Sequence, residues 1–152
     1  EVQGVELEGI EGAEPTPEAL AAIAAAEAIV IGPSNPVISI GPILALPGMR
    51  EAIAASGAPV LAVSPFVAGK VVKGPTDRFL AALGRPATAA GVASLYAGLI
   101  DAIVVDEDDP GPPPQGVATL AAPTLMDSGA ARARLARIVL DYAAELSASR
   151  SG

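Results

Sequence analysis

The sequence predicts an α/β fold built on a mostly parallel sheet, and three observations carry that prediction. Short apolar runs alternate with stretches that open on helix-capping residues, the order expected when strands and helices take turns. The runs are nearly continuous in alanine, valine, isoleucine and leucine, which suits strands covered on both faces. Aromatic residues make up only 3% of the chain against 51% hydrophobic residues, which disfavours a sandwich of aromatic-rich strands.

Taken in order, Val2, Val5 and Leu7 are spaced by polar residues and predict a short strand over residues 2–8. Thr16-Pro17-Glu18 joins an N-cap, a proline at the first helical position and an acid in the first turn. The helix it opens runs through Leu20, Ile23 and Ala24. Residues 27–32 are an apolar run closed by Gly32, read as a buried parallel strand. A helix begins near Ser39 or Pro42 and carries Ile43, Leu44 and Leu46. Pro47 interrupts it and opens a second segment with Met49, Ile53 and Ala54, ended by Gly57.

Residues 59–64 are the second buried strand. Thr76-Asp77 starts a helix with Phe79, Leu80 and Leu83, stopped at Gly84. Thr88 starts another with Val92, Leu95, Tyr96 and Leu99. Residues 102–106 form the third strand, 107–115 an acidic, proline-rich surface loop, and 117–121 the fourth strand. In the last helix Leu135, Ile138, Val139, Tyr142 and Leu146 share one face, and Arg134, Arg137, Asp141 and Glu145 share the other. There is no internal repeat and no long linker, so the 152 residues read as one domain or a large piece of one.

Composition narrows the chemistry. The chain has no cysteine and no histidine. A disulfide framework, a thiolate nucleophile and a Cys/His zinc site are excluded, and acid–base work falls to carboxylates, lysine or the ligand. The lack of cysteine fits a cytoplasmic protein. A net charge of −8 argues against nucleic-acid binding. No run approaches the ~18–20 apolar residues of a membrane span, and Glu1-Val2-Gln3-Gly4 resembles no signal peptide. The missing initiator methionine suggests a truncated or processed chain. A charged fraction of 17% is low for a free-standing domain, so part of the surface is expected to meet another chain or a further part of the protein.

Ligands of open parallel sheets bind at the carboxyl ends of strands, and two loops there are unusual. Gly32-Pro33-Ser34-Asn35-Pro36 leads to Ser39-Ile40-Gly41-Pro42 and offers hydroxyls and backbone N–H groups beside a helix start. It is either a phosphate cradle or a tight proline–glycine turn. The second loop, residues 64–75, begins at Ser64 and holds Gly69-Lys70-Val71-Val72-Lys73-Gly74, with the only two lysines of the chain. Ammonium groups suit phosphate oxygens; the alternative is two solvated surface lysines. Asp106-Glu107-Asp108-Asp109 is a third candidate, for magnesium, although such a run is more often a solvated loop. Arg132, Arg134 and Arg137 read as a solvated helix face.

At these loops the chain resembles the 2-phospho-L-lactate transferase family. The matching stretches are residues 32–44, Pro47-Gly48-Met49-Arg50, Ser64-Pro65 and residues 69–75. Weaker support comes from residues 90–93 with Tyr96, from residues 101–106, and from Thr124-Leu125-Met126. The likeness covers nearly the whole chain. It implies a Rossmann-like three-layer fold of which residues 1–152 are an incomplete C-terminal portion, with the N-terminal half absent. It implies transfer of a phospholactyl or phosphoenolpyruvyl group from a guanosine diphosphate conjugate to the deazaflavin Fo, releasing GMP, in coenzyme F(420) biosynthesis. Magnesium, GDP binding and a cytoplasmic homodimer are further expectations.

The resemblance gives nucleotide-binding roles to Ser34, Asn35, Pro36, Ser39, Gly41, Ser64, Gly69, Lys70, Lys73 and Gly74. The catalytic residues and magnesium ligands are expected in the absent half, which leaves this portion inactive alone. Alanine-, glycine- and arginine-rich usage fits a GC-rich bacterial genome and the phosphoenolpyruvate version. Two other classes compete. One is a nucleotide-sugar-binding regulator of the gluconeogenesis-factor-like family. The other is a structural fragment with no site of its own.

Overall fold

The computed structural model of the chain describes Val2 and residues 4–150. Its centre is a four-stranded parallel sheet of β1 (Ile29–Ile31), β2 (Val60–Val63), β5 (Ala102–Asp106) and β6 (Ala118–Ala122), in that spatial order. Ile29 pairs with Val60, Leu61 with Ala102, and Ala102 with Ala118. Between β1 and β2 lie α2 (Ile40–Leu44) and α3 (Met49–Ala55). Between β2 and β5 lie the strands β3 (Phe66–Val67) and β4 (Lys70–Val71), then α4 (Thr76–Ala82) and α5 (Ala89–Leu95). A 3-10 turn at Ile10–Gly12 and α1 (Pro17–Ala24) precede the sheet, and α6 (Gly129–Arg150) follows it.

Strand alternation sorts the core into two layers. Val60, Ala62, Ile103 and Val105 face Leu44, Met49, Ile53, Leu80 and Val92 of α2 to α5. Leu61, Val63, Ala102 and Val104 face Leu135, Val139 and Ala143 of α6. Leu61, Leu80 and Ile103 are fully buried, and each such side chain contributes roughly 1.5–3 kcal/mol. The result is the expected α/β architecture in three layers. Among the described residues no helix is long and apolar enough to cross a membrane.

Local signals set several ends as the sequence implies. Thr16 Oγ1 accepts from Ala19 N at 3.2 Å, a cap of about 1 kcal/mol. Thr88 caps α5 by accepting from Gly91 N, and Gly57 follows α3 at φ 73°. The long apolar face of α6 packs as expected, with Leu135 and Val139 buried and Ile138, Tyr142 and Leu146 against them.

Three points differ. The strand expected over residues 2–8 does not form at Val2 or residues 4–8, where no partner strand lies alongside; Gln3 lies outside the described residues. The strand β1 is parallel but not buried on both faces: Ile31 is buried while Val30 is 44% exposed. It is an edge strand, and the side that α6 covers elsewhere is open there. The loop after β2 contains an antiparallel hairpin, β3 with β4, that the sequence did not announce.

All four parallel strands end at one edge of the sheet. Their last residues are Ile31, Val63, Asp106 and Ala122, and the segments that follow build the site.

Candidate functional site

A cleft of about 630 Å³ opens across that edge. Pro33, Ser34, Asn35, Ile38 and Ser39 form the wall after β1. Ser64 and Pro65 form the floor after β2. The far wall is Val67 with residues 72–76, and residues 124–127 close the side after β6.

The first wall is built by its own backbone. The carbonyl of Asn35 accepts from Ser39 N at 3.1 Å and Ile40 N at 3.0 Å. Its side-chain Oδ1 accepts from Val37 N at 2.9 Å and Ile38 N at 3.1 Å. This is an Asx turn feeding the short α2. Because Oδ1 is committed, the orientation of the amide is fixed, and Nδ2 is buried with no partner. An unsatisfied buried donor costs about 1–3 kcal/mol, which an acceptor on a ligand would recover. Pro36 and Gly41 do not line the cleft. A Cβ on Gly41 would stand 3.1 Å from the Pro36 carbonyl oxygen, so the glycine lets α2 close on the loop, and both residues shape it from behind.

Ser64 is 1% exposed, and its Oγ accepts from Phe66 N at 3.2 Å. The hairpin then turns through Ala68 at φ 48° and Gly69 at φ 72°, the positive pair that a two-residue primed turn demands. A side chain on Gly69 would come within 2.9 Å of Pro110, so this turn sits tightly against the acidic loop. The two lysines part company here. Lys73 lines the cleft with Gly74. Lys70 and Gly69 line an adjoining hollow of about 620 Å³ with Asp77 and Arg78, and Gly74 borders both.

Asp106 is 5% exposed at the end of β5. Its Oδ1 accepts from Ala68 N at 3.0 Å and Asp108 N at 3.3 Å. Its Oδ2 accepts from Thr124 N at 3.0 Å and Thr124 Oγ1 at 2.8 Å. Burial pushes the carboxyl pKa up, but the bonds from Thr124, Ala68 and Asp108 outweigh it and hold the group below its ordinary range. Both oxygens are occupied, so the magnesium reading of residues 106–109 finds no free ligand at Asp106. Among the described residues no three acidic groups gather into a metal site.

Sequence reasoning gave no site role to Ile38, Val67, Val72, Thr76 or residues 124–127, all of which border the cleft. The rule that ligands sit at strand carboxyl ends applies to β6 as well and points to Thr124. The exposed side chains of Ile38, Val72, Leu125 and Met126 make the mouth of the cleft apolar. Arg132, Arg134 and Arg137 are exposed along α6 and do not line it.

Comparison with known proteins places the chain in a family. The family described as 2-phospho-L-lactate transferase CofD matches residues 1–140. The phosphoenolpyruvate transferase of Streptomyces griseus subsp. griseus is 45% identical over 97% of this chain and 48% of its own length. That of Kitasatospora aureofaciens is 46% identical over 91% and 44%. The 2-phospho-L-lactate transferase of Methanosarcina mazei is 42% identical over 72% and 35%. The chain thus spans about half the length, or less, of the curated relatives it matches. It belongs to the 2-phospho-L-lactate transferase CofD family.

Proposed function

We propose that this member of the family provides the phosphate-binding side of a transferase site for a guanosine diphosphate-linked donor. One observation carries the reading: Ser34, Asn35, Ser39, Ser64 and Lys73 meet in a single cleft, with the Asn35 amide nitrogen buried and unpartnered there. These groups supply donors and one positive charge, the complement of a diphosphate. The donor's three-carbon acid is phosphoenolpyruvate. The likeness to relatives that carry that name extends over 89–97% of this chain, against 72–84% for two phospholactate enzymes.

In the proposed reaction a hydroxyl of the deazaflavin Fo attacks the phosphorus that bears the enolpyruvyl group. The bond from that phosphorus to the bridging oxygen breaks. GMP departs with the bond's electron pair, and the hydroxyl proton is lost to solvent. Lys73 Nζ offsets the charge growing on the departing phosphate. The hydroxyls of Ser34 and Ser39 and the amide of Asn35 orient the nucleotide, the positioning and charge compensation that dominate phosphoryl-type transfers. The family resemblance implies magnesium, but the described carboxylates do not assemble a site for it. Asp127 is the one carboxylate that borders the cleft among the described residues.

Isothermal titration of the protein with GDP tests this reading. Lys73→Ala is expected to weaken GDP by about tenfold, equivalent to about 1.4 kcal/mol, and Lys70→Ala by less than about threefold, under 0.7 kcal/mol on the same scale. No binding by the wild type, or equal losses in the two variants, contradicts the assignment of the cleft.

A further inference from the structure

We propose that Asp106 is a positioning residue for this cleft: one buried carboxylate ties two of its walls together and so sets the gap that the nucleotide's diphosphate enters. The proposal rests on the nucleotide reading above and adds a residue with no part in it.

The two walls have no strand pairing with each other. The hairpin wall reaches from β3 through Lys73 to Gly74, and the side wall is the extension of β6 from Thr124 to Asp127. Both project beyond the sheet. Asp106 bonds the first through Ala68 N and the second through Thr124 N and Oγ1. With Asp106 5% and Thr124 3% exposed, water does not compete strongly for these bonds, and their geometry is correspondingly stiff.

The turn itself needs the tie. Ala68 sits at φ 48°, a left-handed conformation that costs a non-glycine residue roughly 1–2 kcal/mol. Its amide proton donates to the carboxylate in that geometry, so the ionic hydrogen bond offsets part of the cost of the strained form. The contact of Gly69 with Pro110 presses the same turn against the loop that Asp106 begins. Losing the carboxylate frees the turn, and Lys73 lies five residues beyond Ala68 on the segment so released.

Asp106→Asn tests this while keeping the volume of the side chain. The amide still accepts at one atom, but its NH₂ faces a backbone donor at the other. At a temperature where both proteins are folded, GDP affinity is expected to fall at least about tenfold. Combined with Lys73→Ala, the loss is expected to be smaller than the product of the single losses, because both act through the same ammonium. A purely structural role predicts the full product, and that result overturns the proposal.

A second readout needs no ligand. Hydrogen exchange in Asp106→Asn is expected to quicken together at residues 66–74 and 124–127, with β1 and α6 unchanged. Faster exchange in one wall alone overturns the tie. If the wild type binds no GDP, the nucleotide reading fails while the exchange experiment still decides whether Asp106 couples the walls. Thr124→Val keeps the backbone donor and removes the hydroxyl. It serves in both experiments if Asp106→Asn does not fold, with a smaller loss of the same pattern expected.

Discussion

The two sides of the cleft are held in place by different means. The wall after β1 is self-supporting, since every bond that shapes Asn35 joins it to residues two to five positions on. The hairpin wall depends on Asp106, 38 residues further along the chain from Ala68, and that same carboxylate holds Thr124. A self-supporting wall can carry an unsatisfied donor, and Asn35 has one in its buried, unpartnered amide nitrogen. A wall held from a distance is only as good as its anchor.

That contrast fixes the order of the expected mutational losses. Asp106→Ala strands four donors in or near the core and is expected to cost about 3 kcal/mol in urea unfolding, the range for breaking a buried charged hydrogen-bond network. A loss under about 1 kcal/mol would mean that the hairpin holds itself. Asn35→Ala is expected to cost only about 1 kcal/mol, because the freed loop amides are part-exposed and an unsatisfied donor disappears with them. Its effect on GDP affinity should exceed its effect on stability, and the reverse order would remove the amide from the binding site.

The smallest effect is in pH. The Asp106 pKa is lowered in the folded state, so its stabilisation is fully present above the unfolded carboxyl value of about 3.9. It is lost as pH falls through the lower folded value. The stability gap between wild type and Asp106→Asn should therefore be constant near neutrality and narrow in acid below about pH 4. A gap that widens in acid would contradict the pKa direction.

Legibility in the sequence followed the same division. The strands over residues 59–64 and 102–106 and the caps Thr16 and Thr88 rest on contiguous residues, and the structure has them. The Ser34–Asn35 loop was visible because its turn chemistry is local. The hairpin was not, because a primed turn is normally signalled by asparagine or glycine at its first central position, and Ala68 is held there by a residue far along the chain. The exposure of Val30 was equally hidden, since it depends on which strands α6 reaches. Likewise the isolation of Lys70 and Lys73 was plain, but which of them meets Ser34 depends on bends in the backbone that spacing does not encode. The alternation at Val2, Val5 and Leu7 shows the opposite failure, a strand pattern with no neighbour to pair with.

Backbone amide shift mapping during a GDP titration asks most directly whether the cleft is the nucleotide site. The expected perturbations lie at Ser34, Asn35 and residues 37–39, at Ser64, at residues 72–74 with Thr76, and at residues 124–127, with little change at Lys70. Perturbations centred on Arg134 and Arg137 of α6, or on Lys70 with Asn35 silent, would place the ligand elsewhere and contradict the account.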